Sequence, residues 1–307
     1  MSAFWIIALN SWMHTPAGFE LRDGVVHATD WMAIIFNPSM PYRLTHVLIS
    51  SGLTVAFLIA GLSAWRWLRG DHGAAVAATL RTGIVLGAIL APVQAFVGDM
   101  HGLNTLEHQP AKIAAMEGHW ETSGRVPLLL FAIPDERTRQ NHFEIGIPAL
   151  ASIILGHDPD TVIRGLNDFR GEHPPVAPVF YAFRVMVGTG LAMIGLSWLC
   201  AWLLWRRGTL PRLALQGLVV MSFSGWLATL AGWYVTEIGR QPWLVTGVLT
   251  TAQAAGPVAA STIASSLAIY LVLYAGLLLA YVTTIFRLAS KGHANERKPG
   301  PVAVAAE

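Results

Sequence analysis

The sequence predicts an all-α fold, a polytopic transmembrane helix bundle of five full spans plus a partial first span, with one long external loop. Two observations decide the class. Hydrophobic residues fill 54% of the 307 positions and charged residues only 12%, with twelve Trp, a composition foreign to soluble domains. The apolar residues also run together, and five stretches reach the ~20 residues that cross a bilayer as a helix. They are 42–68, 74–97, 178–205, 212–238 and 262–288. A net charge of +2 is too small to point to nucleic acid, and that partner class is dropped.

The first apolar stretch, residues 3–13, is shorter than a span and lacks the basic start and small-residue cleavage site of a signal peptide. It is expected to be the end of a severed span, so that the chain starts inside a helix whose preceding sequence is missing. With the next two spans it makes a first membrane unit, residues 1–99. Residues 100–177 mix polar and apolar positions and are punctuated by Pro127, Pro134, Pro148, Pro174 and Pro175. A segment of that length is expected to be functional. Three further spans occupy 178–288, and the tail 289–307, rich in Lys, Pro and Ala, is expected to be disordered. Cys200, the sole cysteine, lies mid-span between Leu199 and Ala201, where it has no internal disulfide partner and reads as a packing residue.

Orientation follows from the short connections. Arg66, Arg69 and Arg81 flank one, Arg206, Arg207 and Arg212 another, and Arg287, Lys291, Arg297 and Lys298 follow the last span. The positive-inside rule puts all three inside and the long loop outside.

Polar residues can then be placed by depth. Glu237 is the only carboxylate within a predicted span, and Gly239-Arg240-Gln241-Pro242-Trp243 follows it. An ionisable group in hydrocarbon is costly to keep and marks a functional site by default. Here it can pair with Arg240, relay a proton or ligate a high-spin haem iron. Trp233 lies one turn earlier on the same face, Pro242 ends the helix, and Trp233 and Trp243 can anchor at the interface. His46 and Met186 sit at a similar outer depth, in the first and third full spans. Each reads either as a packing residue or as one half of a low-spin haem ligand pair, nitrogen on one face and thioether on the other. Arg43, one turn from His46, and Arg184, near Met186, can each pair with a haem propionate.

At these residues the sequence resembles a known family. Gly232-Trp233-Tyr234-Val235-Thr236-Glu237-Ile238-Gly239-Arg240-Gln241-Pro242-Trp243 resembles the signature of subunit I of the cytochrome bd quinol oxidases. Asn10-Ser11-Trp12-Met13, with Pro16 and Gly18, resembles the end of that family's fourth helix. Lys112-Ile113-Ala114-Ala115-Met116-Glu117-Gly118-His119-Trp120-Glu121-Thr122 is similar to its quinol-binding loop, and Phe180-Tyr181-Ala182-Phe183-Arg184-Val185-Met186 to the helix carrying a haem-ligand methionine. Four motifs in the family's order span nearly the whole chain, a far more specific signal than any one of them.

The resemblance implies a multi-pass subunit of a bacterial inner (cytoplasmic) membrane oxidase that takes electrons from quinol and reduces oxygen to water beside a subunit II. It implies that His46 and Met186 hold the iron of a low-spin haem b and that Arg184 steadies that haem. Glu237 matches a ligand of the high-spin haem pair, haem b and haem d, with Trp233 between electron donor and acceptor and Arg240 beside it. Lys112 and Glu117 match residues of quinol oxidation, Glu117 to take a proton and Lys112 to hold a quinol oxygen. Five residues apart, they stand about 140° apart on a helix and are expected to flank a ligand. Family members carry further helices ahead of Asn10, with the histidine ligand of the high-spin site. The expectation is therefore a chain that by itself builds the quinol and low-spin sites but not the oxygen-reducing centre, with an external loop of the shorter kind. The rival from another class is a haem-free membrane transporter or structural subunit, in which Glu237 and Arg240 line a polar path. A simple electron-transfer cytochrome b leaves the Trp233 to Trp243 motif without a role.

Overall fold

The computed structural model describes residues 2–296, with side chains to residue 290. An opening helix, α1 (Ser2–His14), leads into a hairpin of β1 (Phe19–Arg22) and β2 (Val25–Ala28) and a short helix, α2 (Trp31–Ile35). Two long helices follow, α3 (Met40–Leu68) and α4 (Ala74–His108). Proline at the first turn of α3 costs nothing, because that N–H has no partner within the helix in any case. The helix expected at 74–97 runs on to His108. Gly98 and Gly102 do not break it, and the first strong stop is Pro110, which disfavours helical backbone at Gln109.

Pro110 also opens α5 (Pro110–Glu117), which ends on Gly118 in the left-handed conformation, φ 65°, that glycine adopts without a Cβ clash. The external segment then forms a hairpin of β3 (Leu128–Asp135) and β4 (Gln140–Ile147), followed by α6 (Leu150–Gly156) and a 3-10 turn at Leu166–Phe169. This hairpin is the main β-structure of an otherwise helical chain. It is tied to the next span, α7 (Val176–Arg207), where Tyr181 Oη donates to Ala132 O at 3.0 Å.

The fourth predicted span is two helices in line, α8 (Arg212–Val220) and α9 (Ser224–Ile238), joined by a 3-10 turn at Met221–Phe223. A third small hairpin, β5 (Trp243–Val245) and β6 (Leu249–Thr250), and α10 (Thr251–Ala254) lead to α11 (Ala260–Glu296). The disordered tail predicted from residue 289 is corrected at its start. Residues 289–296 continue α11, because they contain no proline and only one glycine, which a helix tolerates at about 1 kcal/mol. The remainder of that expectation, residues 297–307, lies outside the described residues.

Five helical segments are long and apolar enough to cross a membrane, Trp31–Leu68, Ala74–His108, Val176–Arg207, Arg212–Ile238 and Ala260–Ser290. The chain is a multi-pass membrane protein. Four of them close a ring, α3 against α4, α4 against α7, α7 against α9 and α9 back against α3. Small residues let the backbones approach, as at Gly225, where a Cβ would lie 2.5 Å from Thr54 Cα. The fifth, α11, stands outside the ring. Its ring contacts gather at one end, Tyr281 and Phe286 against Trp65, Phe223 and Trp226, and the rest of its apolar surface is exposed.

Candidate functional site

His46 and Met186 project from α3 and α7, diagonal members of the ring. The His46 ring faces α4, where Gln94 Nε2 lies 3.1 Å from both ring nitrogens and the His101 ring centroid is 5.9 Å away. Gln94, Gly98 and His101 follow one another at helical spacing on one face of α4. At Gly98 a Cβ would stand 3.4 Å from His46 Nε2, and at Gly232, on α9, one would stand 3.0 Å from Met186 Sδ. Each residue of the expected ligand pair thus faces a glycine on the neighbouring span. An imidazole nitrogen and a thioether at such places are donors that suit an iron porphyrin.

Arg184 points into the loop. Its Nε and Nη2 donate to Leu129 O at 3.0 and 2.7 Å and its Nη1 to Met116 O, while the guanidinium stacks on the Phe180 ring, 3.4 Å from the centroid. It staples the hairpin and the end of α5 onto α7.

Around Glu237 the structure gathers a cation-rich cluster. Asn10 Nδ2 donates to Glu237 Oε1 at 2.8 Å, and Arg240 Nη2 donates to Glu237 Oε2 at 2.6 Å. Arg43 Nη1 donates to Asn10 Oδ1 at 3.1 Å, so one amide joins the carboxylate to a second arginine. Arg43 and Arg240 are buried, and Arg43 Nε and Arg240 Nε and Nη1 have no hydrogen-bond partner among the described residues. Unmet buried cationic donors favour an anionic partner. Each Glu237 oxygen holds one hydrogen bond and keeps a second lone pair, so the carboxylate retains the capacity to ligate iron. Trp233, half-buried, lies one turn away on α9.

Lys112 belongs to this cluster. Its Nζ lies 3.1 Å from His14 Nδ1 and donates to Gln109 Oε1 at 2.8 Å. Its stem lies over Gly239, where a Cβ would come within 3.0 Å of Lys112 Cγ, which accounts for the glycine between Glu237 and Arg240. Burial first, then the guanidiniums of Arg43 and Arg240, hold the Lys112 amine well below the usual lysine range, with Glu237 opposing them.

Glu117, on the same helix, faces elsewhere. It lines an external cavity of about 440 Å³ together with Gly118, Trp120, Arg139, Asn141 and Glu144. Arg184 Nη2 stands 3.6 Å from Glu117 Oε2, an ion pair without a hydrogen bond, and that oxygen is buried with no hydrogen-bond partner. Burial pushes the carboxyl up to about 7 against the opposing pull of Arg184. The expected flanking of one ligand by Lys112 and Glu117 is thus not the observed arrangement. The angular separation on α5 is real, but the two side chains lead to different sites, because Lys112 turns toward His14 and Gly239 while the loop cavity opens at Glu117.

The matched family model is "Cytochrome bd terminal oxidase subunit I", over residues 1–293. The chain belongs to the cytochrome bd terminal oxidase subunit I family. It is similar to cytochrome bd ubiquinol oxidase subunit 1 of Bacillus subtilis (strain 168), 33% identical over 89% of this chain and 61% of the relative. It is also similar to cytochrome bd-II ubiquinol oxidase subunit 1 of Escherichia coli (strain K12), 28% identical over 95% of this chain and 70% of the relative. Among solved structures it is similar to the bd oxidase from Geobacillus thermodenitrificans, with a TM-score of 0.87 and 33% identity, covering 94% of this chain and 67% of that one. The chain spans about 61% of the length of the Bacillus subtilis relative. The family is one of cytochromes, haem proteins by definition, which fits the donor set of the ring and the cluster.

Several participants were not singled out from sequence. Gln94 carried a usable signal, a polar side chain at mid-span. Asn10 stood within a matched motif, but its bond to Glu237 crosses 227 positions and needs the fold. Asn141 carried no signal, since it looks like an ordinary loop polar residue.

Proposed function

We propose that this chain acts as subunit I of a cytochrome bd-type oxidase in a bacterial inner (cytoplasmic) membrane, oxidising quinol at the external cavity and serving oxygen reduction with a subunit II. The observation that carries the reading is the ring of four spans in which His46 and Met186 come from diagonal helices and each faces a glycine. In this reading His46 and Met186 hold low-spin haem b. Glu237 is assigned to the high-spin centre of haem b and haem d, with Trp233 beside it and Arg43 and Arg240 neutralising anionic haem edges. Bound haem would supply one-electron transfer and, at the high-spin centre, oxygen binding and reduction.

The chain's own residues handle the proton and the substrate. Glu117, poised near neutrality and lining the cavity, takes the quinol hydroxyl proton. Arg184 holds the ionised carboxylate in place before the transfer, since its positive charge is 3.6 Å away and pinned by backbone carbonyls. Lys112 acts from the other end of α5, placing its amine in the cluster around Glu237 rather than touching the quinol.

A haemochrome assay on the detergent-purified complex that contains this chain tests the reading. Haem is expected, and His46→Ala is expected to remove the low-spin band while membrane insertion persists. Absence of haem from the purified complex would favour the transporter alternative.

A further inference from the structure

The hairpin beside the external cavity is irregular where it meets that cavity. Phe131 pairs with Ile145 and Ile133 with His142, so two steps along β3 match three along β4. One extra residue therefore sits on β4, and Phe143 within that interval has a φ of 55°, uncommon for a bulky side chain. In a regular strand residues 141 and 144 would point to opposite faces. The bulge brings them together, and Asn141 Nδ2 donates to Glu144 Oε1 at 2.8 Å.

Asn141 spends its remaining bonds on the end of α5. Its second amide hydrogen goes to Gly118 O at 2.9 Å, and its Oδ1 accepts from Trp120 Nε1 at 2.9 Å. Gly118 is the left-handed residue directly after Glu117, and Trp120 is a buried wall of the same cavity. One side chain on the hairpin therefore ties down the turn that aims Glu117 and the indole that faces the substrate space.

We propose that Asn141 is a positioning residue for quinol oxidation, set on its bulge to hold the Gly118 turn and the Trp120 indole so that Glu117 keeps its place in the wall of the cavity. This rests on the reading of the cavity as the quinol site. Losing Asn141 strands a carbonyl and an indole N–H and lets the turn relax, which loosens substrate binding more than it slows the chemical step.

The test uses the assembled oxidase in membranes with a short-chain quinol. Asn141→Ala is expected to raise KM about tenfold with kcat within about twofold and an unchanged reduced-minus-oxidised haem spectrum. Trp120→Phe, which deletes the indole donor and some buried ring volume, is expected to raise KM about threefold, and it carries the test if Asn141→Ala does not assemble. An unchanged KM in either assembled variant overturns the inference. So does a fall in kcat and haem content at constant KM, the mark of a merely structural role. Glu117→Gln separates the two levels. Wild-type quinol turnover in that variant removes the quinol reading itself, whereas impaired turnover there beside a normal Asn141→Ala enzyme removes only the role of Asn141.

Discussion

The two ends of α5 make opposite environments from one short helix. At Lys112 the helix feeds an amine into a hydrogen-bonded cluster where Arg43 and Arg240 accompany the single carboxylate of Glu237. At Glu117 it presents a carboxylate to an open cavity, with Arg184 close and one oxygen unpartnered. The first arrangement suits holding a fixed anionic group. The second suits a visitor that arrives with a proton and leaves without it. The contrast shows how charge and burial, rather than proximity in sequence, divide the labour between residues five positions apart.

Breaking the Glu237 end should have the largest effect. Glu237→Gln in the assembled oxidase is expected to abolish oxygen consumption and alter the high-spin haem spectrum while the low-spin band persists, as absorbance and oxygen-electrode measurements would register. At the other end, Glu117→Gln is expected to lower kcat/KM for quinol about 10²-fold, the scale of a lost general base, with both haem spectra intact. If Glu117→Gln instead changed the high-spin spectrum, the division between the two ends would fail.

A sharper probe is Lys112→Met, which keeps an apolar stem over Gly239 and removes the amine with its contacts to His14 and Gln109. It should disturb the Glu237-side haem spectrum and lower turnover about tenfold, a typical cost for a partner of a ligand, while KM for quinol stays unchanged. A raised KM with a normal spectrum would return Lys112 to the quinol cavity. The smallest effect is the pH dependence. Burial raises the Glu117 carboxyl to about 7, and only the ionised form accepts a proton. In the wild type kcat/KM should therefore climb as pH rises through about 7 and level off above it, and Glu117→Gln should lose that limb.

Much of the architecture was legible because its signals are local. Apolar runs long enough to span, Arg-rich short connections and the glycine after Glu117 announce themselves in a few adjacent residues. His46, Met186 and Glu237 were visible for the same reason, as polar or soft donors at membrane depth. The partners of Glu117 and Lys112 were not, since side-chain direction on α5 depends on which turn of α9 and which strand pack beside it. Nor was the bulge in β4, because a strand's pattern does not reveal the register it takes against its neighbour.

By itself the sequence determined that this chain carries five helices long and apolar enough to cross a membrane among the described residues. Those follow from the free energy of moving side chains between water and hydrocarbon, a property each residue carries alone. Tertiary structure decided that Lys112 meets His14, that Arg184 staples the loop, and that Asn141 reaches Gly118 and Trp120. Such pairings rest on hydrogen bonds and ion pairs that act over a few ångströms between residues far apart in the chain, and only the packed helices bring them within reach.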